Sequence, residues 1–119
     1  MKRLILTFGA LWGLCGVVAG ALFDHALAAH MTRGVEVALR YHQLYAVVIV
    51  ALGLTLSNEK QRGLTISALF FIAGIVVFCG SLYAAALTGI FAFNYGTPAG
   101  GVLLIAAWAA LCAAALRMH

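Results

Sequence analysis

Three stretches of this chain, Leu4 to Phe23, Leu64 to Leu87 and Pro98 to Leu116, contain no Lys, Arg, Asp or Glu. Each is close to the length that a helix needs to cross a bilayer: about 20 residues rising ~1.5 Å apiece make roughly 30 Å, one hydrocarbon thickness. Hydrocarbon offers no hydrogen-bond partner, so a backbone inside it must pair with itself, which a helix does within one segment. A further apolar stretch, Leu44 to Leu56, is too short to span alone. Extending it back through Val35, Val37, Leu39 and Tyr41 predicts a helix over 35–56, with Glu36, Arg40 and His42 in its outer turns. The sequence therefore predicts an all-α membrane protein. Helices near 4–23, 35–56, 64–87 and 98–116 would form one transmembrane domain over 1–119, a compact four-transmembrane-helix bundle.

Composition excludes the alternative of a soluble domain. Hydrophobic residues make up 66% of the chain and charged ones 8%, against roughly 45–50% and about 25% in soluble domains. So few charges cannot clothe a surface in water, and the lipid bilayer is the expected partner. The net charge of +4 does not point to nucleic acid, because the basic residues stand in ones and twos between apolar runs. Lys2, Arg3, Lys60, Arg62 and Arg117 fall on one side, and Arg33 and Arg40 on the other. By the positive-inside rule both termini are expected in the cytoplasm. The first run is longer than the core of a signal peptide, about 7–15 residues, and reads as a span. Cys15, Cys79 and Cys112 lie in separate runs at different expected depths, and are read as free, buried thiols.

Packing signals come from small residues. Gly9, Gly13, Gly16 and Gly20 are four, three and four apart, which puts them on one helical stripe. Between helices in lipid, small residues let backbones approach closely. That stripe predicts a central first helix with a neighbour flat against it. Ser67, Gly74, Ser81 and Thr88 recur every seven residues along the third run, a second seam expected to partner the first. Gly100 and Gly101 thin the fourth helix, and Thr97 before Pro98 predicts its start, with a hydroxyl cap and proline in the first turn.

The polar residues suited to chemistry gather at the expected outer end. Asp24, His25, His42, Ser81 and Tyr83 form the candidate polar pocket, with Ser81 and Tyr83 in reach of Asp24 or His42. No metal and no cofactor is expected: His25 and His30 are five apart and do not share a helical face. No nucleophile–base arrangement or phosphate loop is present either, so an enzyme is unsupported. Two functions stand. One is a structural or interaction module that self-associates as a homo-oligomer or joins a membrane-protein partner through its glycine and alanine faces. The other is a binding or transport protein for a small ligand, lipid or metal, using the outer polar cluster.

Gly74-Ile75, Phe78-Cys79-Gly80-Ser81-Leu82-Tyr83 and Ala86-Leu87-Thr88-Gly89, then Thr97-Pro98-Ala99-Gly100-Gly101 and Trp108, resemble the YgdD-like small membrane proteins. These are also called the transmembrane protein 256 family, a domain of unknown function. Gly20-Ala21 with His25, and Ala38 with Tyr41-His42, extend the resemblance over nearly the whole chain. Phe23 and Asp24 replace the small residues usual before the family's first histidine. Tyr45 stands where many members carry a histidine four residues after the tyrosine. The resemblance implies a four-span membrane protein and supplies no reaction or cofactor.

Overall fold

A computed structural model describes residues 1–56 and 61–118. Four long helices carry the fold: α1 Lys2–Asp24, α2 Arg33–Thr55, α3 Arg62–Thr88 and α4 Gly96–Leu116. Among the described residues there is no strand, and the four helical segments are long and apolar enough to cross a membrane. Ser57, Glu59 and Lys60, expected in the loop between the second and third spans, lie outside the described residues.

The helix ends follow local chemistry. Thr32 caps α2, its Oγ1 accepting from the Val35 amide at 3.1 Å, one of the donors that a helix start leaves unpaired. Gly89 ends α3 at φ 73°, a left-handed conformation that costs a residue with a Cβ about 1 kcal/mol or more. The start of α4 departs from expectation. A short 3₁₀ helix, Phe91–Tyr95, runs directly into Gly96 without a side-chain cap. The Thr97 hydroxyl instead meets Ser81 Oγ at 2.7 Å. Phe91, Phe93 and Tyr95 are exposed on that turn, where aromatic rings suit a membrane interface.

Packing reverses the expected roles of α1 and α3. The central helix is α3, which packs extensively on both α2 and α4, whereas α1 lies on α2 and barely touches α3. Accordingly 44% of the spanning window of α3 is buried and only 17% of that of α1. The glycines of α1 are met by α2: a Cβ at Gly9 would stand 3.0 Å from the Val50 amide nitrogen, and one at Gly53 would stand 2.9 Å from Leu6 Cα. Glycine on both helices lets their backbones close on each other at two levels. The seam of α3 is met by α4. Ser67 Oγ donates to the Ala107 carbonyl at 3.0 Å, and a Cβ at Gly74 would meet the Leu104 amide nitrogen at 3.0 Å. A Cβ at Gly100 would fall 2.5 Å from the Phe78 nitrogen. Gly13 and Gly20 are in ordinary range of Ala46 and Gln43, and no atom of a neighbour lies within 4 Å of a Cβ at Gly101.

The core runs along α3 through Ser67, Ala68, Phe71, Ile75 and Cys79, closed by Val35, Ala38 and Ile49 of α2 and by Leu104 and Ala107 of α4. All three cysteines are free, but only Cys79 is buried. Cys15 and Cys112 lie on outward faces of the two flanking helices, because the buried stripes of α1 and α4 run through Gly9 and Gly16 and through Gly100, Leu104 and Ala107.

Candidate functional site

His42 is the polar centre of the bundle. On α2 the buried positions are Val35, Ala38, His42, Tyr45, Ala46, Ile49, Leu52 and Gly53, a continuous helical stripe in which the histidine takes a core position. It lies near the middle of α2, not in its outer turns, and is 3% exposed. An ionisable group so placed needs a partner for each polar atom. Its Nε2 lies 2.7 Å from the Trp12 carbonyl and its Nδ1 lies 3.0 Å from the Tyr83 hydroxyl.

These partners assign the protons. A carbonyl only accepts, so Nε2 carries the hydrogen and donates to Trp12. In the neutral ring Nδ1 is then an acceptor, and Tyr83 O–H donates to it. The chain of bonds from Tyr83 through His42 to Trp12 ties α3, α2 and α1 together. It exists because of Gly16. The Trp12 carbonyl points along α1 toward the amide of residue 16, and a side chain there would stand beside it. A Cβ at Gly16 would lie 2.9 Å from His42 Cδ2 and 3.2 Å from Nε2, closing the approach.

Aromatic faces cover what the hydrogen bonds leave open. The Trp12 ring stacks on the imidazole with centroids 4.1 Å apart and is itself stacked on Phe8. Phe23 stacks on Tyr83 at 5.7 Å. One turn before Tyr83, Cys79 Sγ donates to the Ala38 carbonyl at 3.3 Å. The indole nitrogen of Trp12 is buried without a hydrogen-bond partner among the described residues. A second polar contact joins α4 to α2, with Trp108 Nε1 donating to the Tyr45 hydroxyl at 2.9 Å and Phe71 of α3 edge-on to the Trp108 ring.

Of the five residues in the candidate pocket, the structure brings only His42 and Tyr83 together. Ser81 faces α4, bonding Thr97 and the Phe78 carbonyl. Asp24 and His25 are exposed at the end of α1. The reason is helical phase: Ser81 and Tyr83 are two positions apart, about 200° around α3, and cannot face the same neighbour. Among the described residues, no three His, Cys, Asp or Glu side chains are grouped to hold a metal. Nothing in the sequence marks Trp12 as a partner of His42, and Tyr45 and Trp108 stand out there only through the family resemblance. The buried stripe from Val35 to Leu56 was the available signal for His42, since that spacing puts the histidine in phase with aliphatic core positions.

Four apolar helices joined through buried polar contacts define a multi-pass integral membrane protein. Residues 19–101 match the family described as "Protein of unknown function (DUF423)", and the chain belongs to that family. It is 30% identical over 121 residues to the UPF0382 inner membrane protein YgdD of Escherichia coli K12, covering 98% of this chain and 92% of the relative. It is 32% identical over 116 residues to a UPF0382 membrane protein of Haemophilus influenzae, covering 93% and 92%. With the Staphylococcus aureus UPF0382 membrane protein SAB0533 the identity is 30% over 119 residues, covering 97% of each. No solved structure matches the chain. The resemblance to YgdD-like proteins is thus confirmed, and the protein is integral to the bacterial inner membrane.

Proposed function

We propose that this protein is a structural and interaction module of the inner membrane, a pre-formed helical slab that joins another membrane protein through its outer faces. The observation that carries this reading is the state of His42. Both ring nitrogens are engaged by the chain's own atoms and the ring is covered by Trp12, so the most chemically capable side chain is spent on holding three helices in register. Buried polar contacts between membrane helices serve this purpose well, because in hydrocarbon they have few other partners. The glycine stripe of α1 and the seam of α3 are occupied within the chain, which leaves the outward faces of α1 and α4 as the surfaces available to a partner. Leu11, Leu14 and Val18 mark such a face on α1.

A photo-crosslinking amino acid at Leu11, Leu14 or Val18 in native membranes tests the reading. A discrete protein adduct, from a second copy or another protein, is expected. Adducts with lipid alone, together with a single-copy mass in native mass spectrometry, overturn it. The proposed topology has both termini in the cytoplasm, supported by Lys2, Arg3, Arg62 and Arg117 at the end that holds them. Reporter fusions at residues 1 and 118 should both read as cytoplasmic.

A further inference from the structure

Charge is distributed unequally along the bundle. Lys2 Nζ donates to the Leu54 carbonyl, which places the start of α1 beside the end of α2. Gly63 abuts Ala114, which places the start of α3 beside the end of α4. This end therefore carries Lys2, Arg3, Arg62 and Arg117 and, among the described residues, no carboxylate side chain. Toward the opposite end, Arg33 and Arg40 are offset by Asp24 and Glu36.

At the basic end a groove of about 490 Å³ lies between the first turns of α3 and the last turns of α4, lined by Arg62, Gly63, Ala110, Ala113, Ala114 and Arg117 among others. Its lining is otherwise largely apolar, with Gly63, Leu64, Ile66 and three alanines. Arg62 and Arg117 are its two charged lining residues, and among the described lining residues there is no acid. The start of α3, Arg62–Thr88, adds the positive end of a helix dipole, a second source of positive potential beyond the arginines. An occupant must therefore be anionic at the membrane surface and apolar just below it.

We infer that this groove binds an anionic glycerophospholipid, with the phosphate held between Arg62 and Arg117 and an acyl chain lying over Ala110 and Ala113. Guanidinium groups pair with phosphate through directional, charge-assisted hydrogen bonds, and basic pockets between helices on the cytoplasmic side suit such headgroups. The wider cleft at the other end, about 660 Å³, has Arg33 as its only described charged lining residue and serves as the internal control.

The test uses full-length protein in mixed micelles or nanodiscs containing equal phosphatidylglycerol and phosphatidylcholine, with retained lipid read by native mass spectrometry. Wild-type protein should retain the anionic lipid in preference by about tenfold: both lipids offer a phosphate to the arginines, but the choline ammonium of the zwitterion is repelled by the four basic side chains of this end. Arg62→Ala with Arg117→Ala should abolish that preference, and Arg33→Ala should leave it intact. Unfolding in the same detergent verifies that each variant is folded, with the milder Arg62→Gln and Arg117→Gln in reserve. Equal retention of the two lipids by wild type overturns the inference whatever the variants do. A folded double variant that keeps the preference does the same. Displacement of the lipid by millimolar inorganic phosphate would reassign the groove to free phosphate and overturn the lipid assignment.

Discussion

A histidine in the middle of a membrane helix is tolerable only when its polar atoms are paired, and at His42 the pairing depends on residues from two other helices. Removing the Tyr83 hydroxyl leaves Nδ1 with no donor in an apolar site. Tyr83→Phe should therefore cost about 0.6–1.7 kcal/mol, from the average to the largest value for interhelical hydrogen bonds in membranes, measured by equilibrium unfolding in mixed micelles. Gly16→Ala should cost at least as much, because its methyl would occupy the space through which the imidazole reaches the Trp12 carbonyl. The two losses should be non-additive, since both act on the same ring. Nitrogen NMR of labelled histidine gives an independent check. The His42 ring should show the tautomer protonated at Nε2, and a ring protonated at Nδ1 would contradict the assignment.

At the scale of elements, the closest approaches decide which glycines matter. At Gly100 the neighbour is the Phe78 backbone, which cannot swing aside as a side chain can. Gly100→Ala should separate α3 from α4 and rank among the most destabilising glycine-to-alanine changes in the chain. Gly101→Ala, with open space at its Cβ, should be neutral or stabilising by up to about 1 kcal/mol, since alanine favours helix. Adjacent positions of identical type thus respond in opposite directions, a contrast that unfolding measurements resolve directly. The same geometry explains why the stripe on α1 and the seam on α3 do not meet. Each marks the close-packed face of its own helix, and each found a neighbour in the adjacent hairpin partner.

For the whole molecule, helix order is open to chemical test. In a background without native cysteines, Gly13→Cys with Ala46→Cys should form a disulfide readily, because a Cβ at 13 lies 3.6 Å from Ala46 Cβ and bridged Cβ atoms stand about 3.5–4.5 Å apart. Gly13→Cys with Gly74→Cys should not, because the one position faces α2 and the other α4. Crosslinking of the second pair would restore α1 to the centre of the bundle.

The number of helices, their extents to within a few residues and their residence in lipid were legible in the residues themselves. These properties follow from the length and polarity of single segments: a charge-free run of about 20 residues has one low-energy state in a bilayer. The neighbour of each helix was not legible. Glycine spacing reports a face and not its partner, and both Gly16 and Ser67 satisfy the same rule while facing different helices. The site was half legible for a related reason. Tyr83 and His42 were recognisable as polar residues, but Ser81, Asp24 and His25 separate from them through helical phase and position. Trp12 takes part through its carbonyl, a group that every residue has and that only a missing side chain at position 16 opens to His42. Local chemistry determined that this chain would become four membrane helices, and long-range packing decided which polar atoms they would hide together.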